Sequence, residues 1–140
     1  MVNYWYIKVS ANDRKFNNIL KKSQNDKSIG IGYDINRNYT SMTRQDRHNI
    51  WNNFGHNDRG KKLRENYFNT FINKMNIGDI VFLTKGSDQI LFMAQISSNY
   101  YYDENYDERY NGLYHRRHIT NIRKFEAIAP KRMLATIYKV

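Results

Sequence analysis

Apolar and polar positions along this chain recur at two periods, and the switches between them mark the elements. Val2–Val9 (VNYWYIKV) alternates, with Trp5, Ile7 and Val9 on one face and Tyr4, Tyr6 and Lys8 on the other. That is the pattern of a strand with one buried face. Ser10-Ala11-Asn12-Asp13 then has the form of a capping box, predicting a helix over about Ala11–Lys22 that buries Phe16, Ile19 and Leu20. Ser28–Tyr33 (SIGIGY) reads as a short second strand, and Asp34–Ser41 as a polar loop. A second capping box, Thr43-Arg44-Gln45-Asp46, opens a helix to about Phe54 with Ile50, Trp51 and Phe54 on one face. Gly55–Lys62, polar with two glycines, reads as an exposed loop. Leu63–Met75 carries Leu63, Tyr67, Phe68, Phe71, Ile72 and Met75 at helical spacing.

The stretch Asn76–Asp103 organises the rest. Gly78-Asp79 is a turn pair before the apolar run Ile80–Leu83; Lys85-Gly86-Ser87-Asp88 interrupts, and the run resumes as Ile90–Ile96. Two short apolar runs around a glycine-containing loop predict a β-hairpin, and apolar residues on both faces predict burial on both sides. Tyr100-Tyr101-Tyr102 follows, then Tyr106, Tyr110 and Tyr114. Leu113–Ile128 reads as a further strand. Ile119 and Ile122 have opposite parity there, which places a bulge between them. Pro130 ends it, and Arg132–Val140 closes the chain as a helical turn or a strand. The order of elements predicts an α+β fold, a small mixed barrel in one domain over residues 1–140.

Charge then narrows the partner. The chain has 23 Lys and Arg against 13 Asp and Glu, a net +10 over 140 residues. So strong a positive field on a small domain suits a polyanion, nucleic acid first and acidic membrane or protein second. With no cysteine, disulfides, zinc knuckles and thiol chemistry are excluded. The N-terminus has no signal pattern, and no apolar run approaches the ~20 residues that span a bilayer. The chain therefore reads as a soluble, cytoplasmic protein without a membrane partner.

Several of these segments together resemble a known superfamily. YWYIKVS running into a capped helix, GIGYD, MNIGDIVFLTKGSDQILFMAQISSNYYYDE and YHRRHI are similar to the EVE and PUA-like domains. The likeness is closest to the EVE-like N-terminal domains of McrB-type restriction proteins, and more distant to YTH domains. It covers about Tyr4 to Phe125. It implies a pseudo-barrel of about five or six strands with helices packed outside. It further implies a pocket that takes a modified base flipped out of nucleic acid. The positions matching that pocket are Ser10 and Asn12, Tyr33 and Asp34, and Tyr100, Tyr101 and Tyr102 with Tyr106 or Tyr110; Trp5 and Trp51 are alternative walls. Restriction association points to DNA ahead of RNA and to a nuclease or GTPase motor as a separate partner.

The chemistry fits that expectation. Aromatic faces sandwich a base for ~1–3 kcal/mol with little sequence preference. Asn12 and Asp34 are candidates for reading its hydrogen-bonding edge. Lys85, Lys61, Lys62, Arg116 and Arg117 are candidate phosphate contacts, which position the strand without reading it. Arg116 and Arg117 fall on opposite strand faces, so one of them is expected to meet the ligand. The same tyrosines also suit a covered barrel end, and Trp5, Trp51, Phe68 and Phe71 suit the core. His115 and His118 would face opposite ways, wrong for one metal, and His48 and His56 complete no zinc spacing. No cofactor or catalytic set is assigned. The alternatives are an RNA-binding PUA-like module without modified-base selectivity, or a protein-interaction domain.

Overall fold

A computed structural model describes residues 1–10, 25–31, 35–55, 57–85, 89–104, 114–128 and 137–139, with backbone alone for Val9, Ser10 and Tyr138. Among the described residues seven strands form one mixed sheet: β1 (Tyr4–Ser10), β2 (Ser28–Ile31), β3 (Ile80–Lys85), β4 (Gln89–Ile96), β5 (Tyr101–Tyr102), β6 (His115–Ile128) and β7 (Ile137–Lys139). Their order is β2-β6-β4-β3-β1-β7, with β5 also on β6, and the sheet curls into a half-barrel. β1 and β3 run parallel; every other pair is antiparallel.

Helices α1 (Arg44–Asn52) and α2 (Asp58–Asn69) precede the hairpin. The Thr43 capping box is present, the Thr43 hydroxyl accepting from the Asp46 N–H and the Asp46 carboxylate from the Thr43 N–H. α2 begins inside the stretch expected to be a loop. The Asn57 side chain accepts from the Gly60 N–H at 2.8 Å, and this cap outweighs the weak helix propensity of Gly60. After Asn69 the helix widens into a π-type turn over Thr70–Lys74, in which the Met75 N–H reaches the Thr70 carbonyl at 3.1 Å. A 3₁₀ turn at Tyr39–Ser41 interrupts the expected Asp34–Ser41 loop.

The inner sheet face and the helices share one core. Trp5, Ile7, Val81, Leu83, Ala94 and Ile96 meet Trp51, Phe68, Phe71, Ile72 and Met75 there. The expected burial of the hairpin on both sides holds for the inner face alone. Phe82 and Ile80 are only partly covered, and Phe82 belongs with Tyr6, Ile90 and Ala127 to a small separate cluster on the outer face.

β6 is the longest strand and has two halves. His115–His118 lies between β2 and β5, while Ile119–Ile128 pairs with β4. Within the second half Gln95 pairs with Thr120 but Met93 with Arg123, so β6 carries an extra residue there, and a second lies between Lys124 and Ala127 opposite Phe92 and Ile90. Asn121 sits in the first of these bulges with φ 51°, a left-handed conformation that Asn tolerates. The parity break between Ile119 and Ile122 thus marks a real bulge. The expected first helix, the hairpin loop at 86–88 and both ends of the closing segment lie outside the described residues; its described part, Ile137–Lys139, is β7.

Asp79 pins the sheet to the segment before it. Its buried carboxylate accepts from the Trp5 indole N–H at 2.9 Å, the Asn76 N–H at 2.9 Å and the Asn3 N–H at 3.1 Å. Burial by itself would raise its pKa, but the hydrogen bonds from Asn76, Trp5 and Asn3 together prevail and hold it below the usual carboxylate range.

Candidate functional site

The cations expected to hold phosphate separate sharply. Arg116 and Arg117 are each only 2 % exposed. Arg116 donates to the Ser28 hydroxyl through Nε at 3.2 Å and Nη2 at 2.7 Å. Arg117 donates to the carbonyls of Phe71 at 2.7 Å, Ile72 at 2.9 Å and Ser98 at 3.2 Å. Two of these carbonyls end the helical layer, where backbone acceptors lack intrahelical partners. Burial pulls the Arg117 pKa down, opposed by the charge of Asp79. These two residues therefore serve the interior, and the expectation that they grip phosphate is corrected.

Lys61, within α2, donates to the Asn52 carbonyl at 2.8 Å and so clamps the end of α1. Lys85 is half-buried at the end of β3. Lys62 alone of the expected set lines an open groove of about 480 Å³ between the helices, with Tyr39, Arg44, Arg47, His48, Glu65, Asn66 and Asn69. Arg47 is held in place there. Its Nε and Nη2 donate to the Tyr39 carbonyl at 3.1 and 2.7 Å, and its guanidinium lies 4.5 Å from the Tyr39 ring centroid. Between Arg37 and Glu65, seven Lys and Arg stand against three Asp and Glu. A second depression of about 550 Å³ adjoins α1, with Ile35, Ile50 and Phe54 beside Asn49, Asn53 and the Arg37–Asp46 pair.

The tyrosines also divide. Tyr100 turns inward: its hydroxyl lies 2.6 Å from His115 Nδ1 and accepts from the Tyr39 N–H at 3.3 Å. The opposite ring nitrogen of His115 is 2.6 Å from the Ile35 carbonyl, which can only accept. His115 therefore carries its proton on Nε2 and accepts from the Tyr100 O–H through Nδ1. Burial lowers the His115 pKa to about 4 despite the Ile35 bond, and raises Tyr100 to about 12. The chain of contacts continues through Tyr39, whose hydroxyl accepts from the Trp51 indole at 3.0 Å. Trp51 is 3 % exposed and Trp5 5 %, so neither is an accessible wall.

Tyr101 and Tyr102 keep part of their surface in solvent. Tyr101 stacks on His118 with centroids 4.6 Å apart, and Tyr102 leans on Tyr114 at 6.0 Å. Side chains of Ser10, Asn12, Tyr33, Asp34 and Tyr106 lie outside the described residues. Among the described residues no three His, Asp or Glu side chains converge on a common point fit for a metal ion.

A family profile matches residues 5–139, almost the entire chain. The chain belongs to the DUF8426 family, a domain of unknown function. No curated protein matches it. In this DUF8426 domain only Lys62 of the groove residues was anticipated, and the signal that could have found the others is a helical spacing hidden by reading Gly55–Lys62 as a loop. Lys62, Asn66 and Asn69 recur at i, i+4 and i+7, and Arg44 and Arg47 at i and i+3 in a capped helix. His115 carried no such signal, because a histidine beside two arginines reads as surface.

Proposed function

We propose that this domain is a non-catalytic nucleic-acid-binding module that draws a modified base, in DNA ahead of RNA, into an aromatic pocket. The curled mixed sheet with helices on its inner face is compatible with the PUA-like or EVE-like pseudo-barrel on which this reading rests. The observation that carries it is the open groove lined by Arg44, Lys62 and the fixed guanidinium of Arg47, three cations against the carboxylate of Glu65. Bidentate donation and stacking hold that guanidinium without neutralising it, which suits a phosphate oxygen. Phosphate contacts of this kind supply affinity and leave selection to the base pocket. Tyr101 and Tyr102, which keep part of their surface in solvent, are the described aromatics that this reading assigns to the pocket. No step of catalysis is assigned, and cutting or translocation would belong to a separate nuclease or GTPase motor.

The test is binding of matched duplex and single-stranded oligonucleotides carrying unmodified adenine and cytosine, N6-methyladenine, 5-methylcytosine or 5-hydroxymethylcytosine. The protein, its Tyr101→Ala variant and an Arg44→Ala/Lys62→Ala variant are compared across a salt series. The reading expects about tenfold preference for one modification, lost in Tyr101→Ala. It also expects a log–log salt slope near −0.9 per phosphate contact on duplex DNA, shallower in the double variant. Salt-sensitive binding without preference for any modification would leave an unselective RNA- or DNA-binding module. Absence of binding to every oligonucleotide would overturn the reading.

A further inference from the structure

The sheet face turned away from the helices carries a group of aromatic side chains that neither the core nor the groove uses. Tyr4 and Tyr6 project from β1, Phe82 from β3 and Phe125 from β6. Phe82 lies at the centre, its ring centroid 6.4 Å from Tyr4, 5.5 Å from Tyr6 and 5.7 Å from Phe125. Tyr4 is 46 % and Phe125 42 % exposed, a large accessible π surface for residues that folding could have buried. Tyr6, Phe82, Met93 and Arg123 stand opposite one another across β1, β3, β4 and β6, so these side chains share one continuous face of the curled sheet. Lys8 and Arg123 lie on the same face by strand alternation, while Glu126, next to Phe125 in β6, is paired with Lys124 at 3.3 Å.

We propose that this outer face is a stacking platform for the bases of single-stranded nucleic acid. Aromatic rings flanked by the cations Lys8 and Arg123 match a chain that alternates flat bases with anionic phosphates. Stacking on such rings accepts any base, because each has a π face. The platform lies on the side of the sheet opposite α1 and α2, and its occupation does not depend on the groove.

The test uses an oligothymidine single strand containing one 2-aminopurine, whose fluorescence falls when it stacks on an aromatic ring. Tyr4→Ala and Phe125→Ala are each expected to weaken binding roughly tenfold and to abolish the quenching. Phe125→Tyr should keep both. Arg123→Gln, which leaves the rings untouched, should flatten the salt dependence by about one phosphate contact. The Arg44→Ala/Lys62→Ala variant should retain the quenching. Unchanged affinity and quenching in folded Tyr4→Ala and Phe125→Ala proteins would overturn the inference and leave the groove reading intact. So would a finding that these substitutions alter only self-association in sedimentation, which would make the face a protein contact. Loss of duplex binding in the groove variant, with quenching preserved, would support both surfaces separately.

Discussion

The chain holds two sets of guanidinium groups with opposite fates. On β6, Arg116 and Arg117 are packed inside, and Arg117 donates to three backbone carbonyls. On the helical face, Arg44 and Arg47 line an open groove, and Arg47 is fixed by a single carbonyl and a ring. The residue type is the same; the difference lies in what the surrounding backbone leaves unpaired. The helical layer ends in a π-type turn whose carbonyls point at β6, and a long cation with a planar fork of donors satisfies them. A charged residue in a strand can thus be a structural strut, and counting basic residues overstates the surface available to a polyanion.

Breaking the strut should have the largest effect. Arg117→Ala leaves three carbonyls without this donor in a buried setting, and about 4 kcal/mol of stability should be lost in denaturant unfolding. Arg117→Lys should recover only part of it, since an ammonium cannot reproduce the fork. The next largest effect is on acid stability. His115 is neutral in the fold with a pKa near 4, below its ordinary value of 6.5. The unfolded chain therefore binds the proton more readily, so stability is full above about pH 6.5 and falls as the pH drops towards 4. That loss should amount to ~3 kcal/mol, measured as unfolding free energy against pH. It should vanish in a folded His115→Gln variant.

A smaller effect is expected at Asp79, whose depressed pKa contributes stability above the unfolded carboxylate range that is lost as pH falls through the folded value. Asp79→Asn keeps the shape but replaces a charged acceptor with a neutral amide, and should cost about 2 kcal/mol in thermal or denaturant unfolding. The smallest effect on stability belongs to the groove. Arg44→Ala and Lys62→Ala should each stay within ~0.5 kcal/mol of the parent while weakening duplex binding and reducing the salt slope by about one. If the groove substitutions unfolded the protein and Arg117→Ala did not, the contrast between strut and surface would be reversed.

Much of the architecture was legible in local pattern. The alternation of Val2–Val9 identified the face carrying Trp5 and Ile7, the Thr43 box located the start of α1, and the parity of Ile119 and Ile122 located the bulge at Asn121. Such features depend on a few neighbouring residues and their fixed periods. The start of α2 was missed because Gly60 and Lys61-Lys62 look like loop, whereas the deciding contact is the Asn57 cap. The candidate site was less legible. Of the expected phosphate contacts, Lys62 faces the groove, while Arg116, Arg117 and Lys61 are committed to oxygen atoms of the protein itself.

Period and capping chemistry are therefore written in the linear chain: the strands and helices, one aromatic-rich hairpin exit and a net charge of +10. Which arginine is buried, which ring nitrogen of His115 carries the proton, and which aromatic rings face water were settled by tertiary packing. Each depends on an unpaired carbonyl, a hydroxyl or an open sheet face supplied by a segment distant in sequence. Phe71 and Ile72 meet Arg117 across 46 and 45 residues, and Ile35 meets His115 across 80. Side-chain type states what a group can donate or accept; only the fold brings it to the partner that uses it.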